Sequence, residues 1–248
     1  AGQDTRGQGL EAREGCAEEG AGRWGAGLGR KLPMLEVIVK GTSDGKEKDA
    51  HNFETLVNIG TSAPYFYVAA LAPKDIPGGL LWSLSLAGCG VGSTAYHSTS
   101  GMGAARRLTR RMDFTAVSAA SVASTNALRH RPRRGGRRGS PGLINALSLL
   151  VMPFRPLLVA GAHVAGAEYL VARHVQRKPE LRKLHMAHLA CTAFGSACYI
   201  AEDVRPDVPF FHAGWHVGST LALMSMNSFL RTVAEERAEG KGGGSKAP

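Results

Sequence analysis

Apolar residues gather into seven runs, at 53–71, 79–99, 112–128, 142–154, 156–173, 184–201 and 210–230, with charged stretches between them. Most approach the roughly 17–25 residues that a helix needs to cross a hydrocarbon core. They are rich in Ala, Gly and Ser, small residues that let helix backbones pack closely in lipid. The stretch 142–173 is long for one crossing and short for two. Pro153 and Pro156 flank Arg155 there; prolines break the helix, and an arginine at the bilayer midplane costs about 2.5–3.5 kcal/mol. A tight hairpin with a short fourth helix follows. The pattern predicts an all-α, seven-transmembrane-helix bundle at 53–230 with its two ends on opposite sides. Residues 1–52 read as a polar, largely disordered arm with a short apolar strand at 35–39, and 231–248 as a flexible tail.

Composition sharpens this picture. The chain has 248 residues, 30 Lys and Arg against 20 Asp and Glu, a formal charge of +10, and 44 % hydrophobic residues, enough for a sizeable core. The arginines lie in short loops between apolar runs and not on one periodic face. That distribution argues against a nucleic-acid partner and fits the positive-inside bias of membrane proteins. Under seven crossings, the end opposite the amino-terminal arm carries Lys74, the arginines within 129–138, the basic residues at 173–183 and those of the tail. The carboxyl terminus is therefore expected on the cytoplasmic or stromal side, in a plastid or endomembrane. The four cysteines, Cys16, Cys89, Cys191 and Cys198, show no CxxC spacing and read as buried thiols.

Ionisable residues inside apolar runs are expensive, so each is a functional candidate. Here they are Glu54, Ser93-x3-His97 (the serine as its polar companion), Asp113, Glu202, Asp203, His212 and His216. The seven-crossing order puts all of them at one depth, on the side of the amino-terminal arm. His212 and His216, four apart, lie one above the other on a helix face. Two such imidazoles plus His97 from another helix suit a catalytic zinc, with a fourth position left for water. Asp113 is the nearest base, and Ser93 stands one helical turn before His97. The bland alternative is that these imidazoles only join helices by hydrogen bonds. His185 and His188 read as interfacial and on the opposite face, His163 as bonded to a neighbouring helix, and His51, His130 and His174 as lying in loops or helix ends.

Ser93-x3-His97, Asp113 and His212-x3-His216 resemble, in order and spacing, the pattern of the alkaline ceramidases and the seven-helix membrane hydrolases around them. The likeness spans about 53–230 and includes Glu202-Asp203-Val204-Arg205 and Phe53-Glu54; the chain also looks similar to plastid-type relatives of plants and algae. The resemblance implies Zn2+ held by His97, His212 and His216, with Asp113 and Ser93 catalytic and Glu54 and Asp203 in support. It implies a membrane lipid as substrate and an amide or ester bond as target. The ceramidases' acidic calcium-binding segment has no match in 1–52, so calcium is not carried over, and the Arg-rich stretch before Asp113 looks longer than theirs. The rival reading is a non-enzymatic seven-helix protein, receptor-like or a metal-ion conduit.

Overall fold

The computed structural model describes Asp49 and residues 52–129, 141–205 and 207–242. These residues are all-α: α1 (Asn52–Ser62), α2 (Pro64–Ala70), α3 (Gly79–Ser98), α4 (Ala104–Arg129), α5 (Pro141–Val151), α6 (Pro156–Arg177), α7 (Arg182–Val204) and α8 (Phe211–Gly242), with a 3-10 turn at Pro179–Leu181. The expected strand at 35–39, Cys16, His51, His130 and the basic residues after Arg129 lie outside the described residues.

Hydrogen bonds set the direction of each helix. Tyr65 bonds Ser219 at 2.6 Å, and the Asn227 amide and Arg231 guanidinium donate to the carbonyls of Val68 and Leu71, so α1 and α2 run parallel to α8. The Trp82 indole donates to Asn227 at 2.6 Å, near the far end of α3, whereas Ser93 meets His216 at the other end; α3 is antiparallel to α8. Ser118 and Thr125 of α4 donate to the carbonyls of Pro156 and His163, which makes α4 and α6 parallel. Glu202 meets His212, and His188 donates to the Ala222 carbonyl, so α7 is antiparallel to α8. One end of the bundle therefore collects the starts of α1, α4 and α8 and the finishes of α3 and α7. The apolar core, with Trp82, Leu86, Val171, Phe229 and Leu230 almost wholly buried, lies below it.

Two glycine contacts bring helices unusually close. A Cβ on Gly92 would fall 2.9 Å from Asp113 Cα, and one on Gly218 would fall 2.7 Å from Gly195 Cα. Only residues without side chains allow α3 against α4, and α7 against α8, at these distances.

The seven-segment order survives, but several details change. Pro64 opens a new helix after Ala63, so the first run is two pieces of 11 and 7 residues. The hairpin at 152–155 and the short helix before it form as expected, and α5, with 11 residues, is about 16 Å long against a core of about 30 Å. No helix among the described residues is long and apolar enough to cross a membrane. The inward faces explain part of this, because Ser, Thr and His dilute the hydropathy of each helix. The expected tail boundary at 231 is also displaced, since α8 continues to Gly242. Asp49, assigned to the disordered arm, is buried. Cys89 is buried, whereas Cys191 and Cys198 are half-buried; all three are free thiols.

Candidate metal centre

His97, from the last turn of α3, and His212 and His216, from the first turns of α8, come together as three buried imidazoles. One nitrogen from each lies within 4.8 Å of the others. Around a tetrahedral zinc the nitrogens would stand about 3.4 Å apart, given bond lengths of about 2.0–2.1 Å. The trio is thus wider than a bound zinc would draw it by up to about 1.4 Å.

The outer hydrogen bonds define which nitrogens face inward. His97 Nδ1 donates to Asp49 Oδ2 at 3.2 Å, and His212 Nδ1 donates to Glu202 Oε2 at 2.7 Å. His216 Nδ1 lies 3.0 Å from Thr61 Oγ1, whose own proton goes to the Val57 carbonyl at 2.9 Å. Thr61 therefore accepts from His216. In all three rings the δ nitrogen carries the proton outward, leaving an ε lone pair. The tautomers are assigned from the partners. His97 Nε2 and His212 Nε2 are buried with no hydrogen-bond partner among the described residues. Two unpartnered imidazole acceptors side by side are costly unless something electron-poor sits between them. Carboxylate–imidazole pairs of this kind are the usual support of metal-bound histidines.

Asp49 is held from every side. Arg106 Nη2 donates to Oδ1 at 2.6 Å, Thr55 Oγ1 donates to Oδ2 at 3.0 Å, and the Asp49 amide donates to Ser100 Oγ at 2.9 Å. Arg106 also donates to the Tyr96 carbonyl and stacks 4.2 Å over the Tyr96 ring. Burial pushes the Asp49 carboxyl up, but the hydrogen bonds and charges of His97 and Arg106 outweigh it and hold the group well below the usual carboxylate range.

Ser93 Oγ lies 3.1 Å from His216 Nε2 and 2.8 Å from Ser62 Oγ. Ser62 sends its own proton to the Asn58 carbonyl, so the Ser93 hydroxyl has a choice of two acceptors and can turn from one to the other. Asp113, buried against Gly92, interacts electrostatically with His212 and with Arg110.

The structure thus brings together Ser93, His97, Asp113, His212 and His216. Glu54 is buried and accepts from the Phe210 amide at 3.3 Å, which ties the start of α1 to the start of α8. Asp203, expected in support, is exposed at the end of α7, and its neighbour Glu202 bonds His212. A helix ending allows one of two adjacent acids to turn inward, and spacing alone does not choose between them. Asp49, Thr55, Thr61, Ser62 and Arg106 were not singled out. No signal in the sequence marks the Asp49–Arg106 pairing, because the burial of Arg106 that demands an acid partner appears only in the fold.

His163 Nε2 bonds Ser148 on α5 at 2.9 Å, as expected. His188, expected at an interface, is instead buried with Nε2 on Glu168 and Nδ1 on the Ala222 carbonyl, while His185 approaches the same carboxylate at 3.4 Å. His174 lies at a helix end as expected, in the last turn of α6, and is buried there. Searches of family models, curated proteins and solved structures find no match to this chain.

Proposed function

We propose that this protein is a zinc-dependent hydrolase of membrane lipids, similar to the alkaline ceramidases, with amide bonds preferred over esters. The observation that carries the reading is the inward set of ε lone pairs, two of them buried and unpartnered, beside a buried carboxylate and a serine hydroxyl. A zinc ion bound there would supply Lewis acidity and lower the pKa of its water from 15.7 to about 7. The chain's own groups divide the remaining work. Asp113 accepts a proton from the attacking water and returns it to the leaving amine. Ser93 swings its hydroxyl from His216 toward Ser62 or toward the developing oxyanion. Asp49, Glu202 and Thr61 hold the three rings in the required tautomer.

Membrane embedding belongs to the same proposal. Its support is the apolar outer surface: Leu80, Leu81 and Leu84 on α3, Leu147 and Leu150 on α5, and Leu221 on α8 are each about half exposed or more. Apolar character lies on the outward faces and not around whole helices, which fits a bundle with lipid outside and polar groups inside. The opposite end, with its basic loops, then faces the cytosol or stroma.

A second reading, passage of metal ions, draws on the Glu168–His185–His188 group deeper in the bundle. His188 speaks against it, because its Nδ1 is taken up by the Ala222 carbonyl and its Nε2 by the Glu168 carboxylate.

The test combines metal analysis with turnover. Detergent-purified protein should hold close to one zinc per chain and cleave fluorescent-acyl amide lipids; Asp113→Asn should keep the zinc and lose cleavage. Protein that holds zinc yet cleaves neither amides nor esters would favour the receptor-like alternative, and protein with no affinity for zinc would end both. Carbonate extraction that released the protein from membranes would remove the embedding claim.

A further inference from the structure

Among the described residues, Asn58 Oδ1 is buried without a hydrogen-bond partner, as are His97 Nε2 and His212 Nε2, and the three atoms belong to one layer of the bundle. The layer beneath is fixed by direct bonds: Ser62 Oγ of α1, Ser93 Oγ of α3 and His216 Nε2 of α8 are joined at 2.8 and 3.1 Å. One helical turn toward the open end, about 6 Å along each axis, leads from Ser62 to Asn58, from Ser93 to His97 and from His216 to His212. The three steps run the same way because α1 and α8 start at that end and α3 finishes there. The Asn58 backbone touches the site itself, since its carbonyl accepts from Ser62 at 2.8 Å and from the His216 ring. Its side chain is 1 % exposed and shares the buried stripe of α1 with Glu54 and Ser62. The His97 and His212 rings stand 4.8 Å apart, and with His216 they already make the three protein ligands of a catalytic zinc. The amide oxygen of Asn58 is left over. A buried acceptor with no donor in the protein is costly, and that cost is recovered when a donor arrives with a ligand.

We infer that Asn58 Oδ1 accepts the N–H of the lipid's scissile carboxamide and makes the site selective for secondary amides over esters. An ester presents an oxygen where the amide presents N–H, so it leaves Oδ1 unpaired and sets lone pair against lone pair. Sites built around such a hydrogen bond reject the analogue that lacks the donor far more strongly than they reject a small change of size. Asparagine suits the position because it accepts without adding a buried charge beside the imidazoles. This rests on the hydrolase reading for its substrate, but the binding step is separable from cleavage.

The test measures equilibrium binding to the full chain, zinc-loaded, in neutral detergent micelles, with Asp113→Asn in the background to prevent turnover. The probes are a fluorescent N-acyl amide lipid, its N-methyl derivative and the matching ester. The secondary amide should bind at least tenfold more tightly than the other two. Adding Asn58→Leu should level the three, with the ester bound within threefold of its former affinity, and Asn58→Ala should do the same. Equal binding of amide and ester before the Asn58 change, no binding of either, or a preference that persists after it overturns the inference. So does a loss of all three lipids alike, which would make the role structural. Zinc affinity should stay within threefold in Asn58→Leu; a tenfold loss would make Asn58 a metal ligand and overturn the assignment. The metal-free Asn58→Leu protein should melt at or above the wild-type Tm, because an unpaired buried oxygen is removed; a lower Tm in both variants would mean that the oxygen is bonded within the fold. In a parallel assay of the chain with Asp113 intact, cleavage of neither amide nor ester with the binding preference preserved would refute the hydrolase reading and leave the Asn58 site standing.

Discussion

Replacing Asp49 by Asn keeps the size of the side chain and tests the support of His97 directly. The carboxylate accepts from Arg106 at 2.6 Å through one oxygen and from His97 and Thr55 through the other. An amide has a single acceptor oxygen, and the fixed positive charge of buried Arg106 claims it. The NH2 group then faces His97 Nδ1, which must become an acceptor and move its proton to Nε2. That proton occupies the lone pair directed at the other two imidazoles. Loss of such a supporting partner weakens metal binding about 10–100-fold, or about 1.4–2.7 kcal/mol. The assay is zinc competition against a fluorescent chelator in micelles at pH 7.5, with melting curves in parallel. At free zinc 100 times the wild-type Kd, binding stabilises the wild type by about 2.7 kcal/mol. A 30-fold weaker variant gains only about 0.9 kcal/mol, so its zinc-dependent rise in Tm should shrink to about a third. Thr55→Val, which removes the third contact and leaves both charges, should stay within threefold of wild type. A folded Asp49→Asn protein with wild-type zinc affinity would refute the tautomer argument.

Glu202→Gln should weaken zinc about 10–100-fold while Asp203→Asn changes it by less than twofold, which the same chelator titration separates. His97→Ala, His212→Ala and His216→Ala should each abolish stoichiometric zinc by metal analysis. Because the Asp49 carboxyl is held low in the folded chain, its stabilisation is complete above its unfolded pKa of about 3.9 and fades as pH falls through the folded value. Unfolding curves below pH 4 should therefore steepen for the wild type and lack this component in Asp49→Asn. Gly92→Ala would place a methyl 2.9 Å from Asp113 Cα and 3.2 Å from its amide nitrogen, forcing α3 and α4 apart at a cost of about 1–3 kcal/mol. Gly88→Ala, whose methyl would meet Ala116 at 3.8 Å, should leave Tm unchanged.

Much of this was readable in one dimension. The spacing of apolar runs, the hairpin around Pro153 and Pro156, and the four-residue step from His212 to His216 are local properties, set by helix periodicity and by proline's missing donor. So was the grouping of His97, Asp113 and His212 at one depth, since helices joined by short loops must alternate in direction. What folding alone decided is everything that depends on rotation about a helix axis or on a segment without periodicity. Asp49 lies in an aperiodic stretch with no apolar pattern to mark it, and only its burial against His97 and Arg106 discloses its part. Glu202 and Asp203 differ by about 100° around α7, and the packing of α7 on α8 through Gly195 and Gly218 determines which carboxylate reaches His212. The extension of α8 to Gly242, past the end of its apolar run at 230, shows that apolar length does not measure helix length.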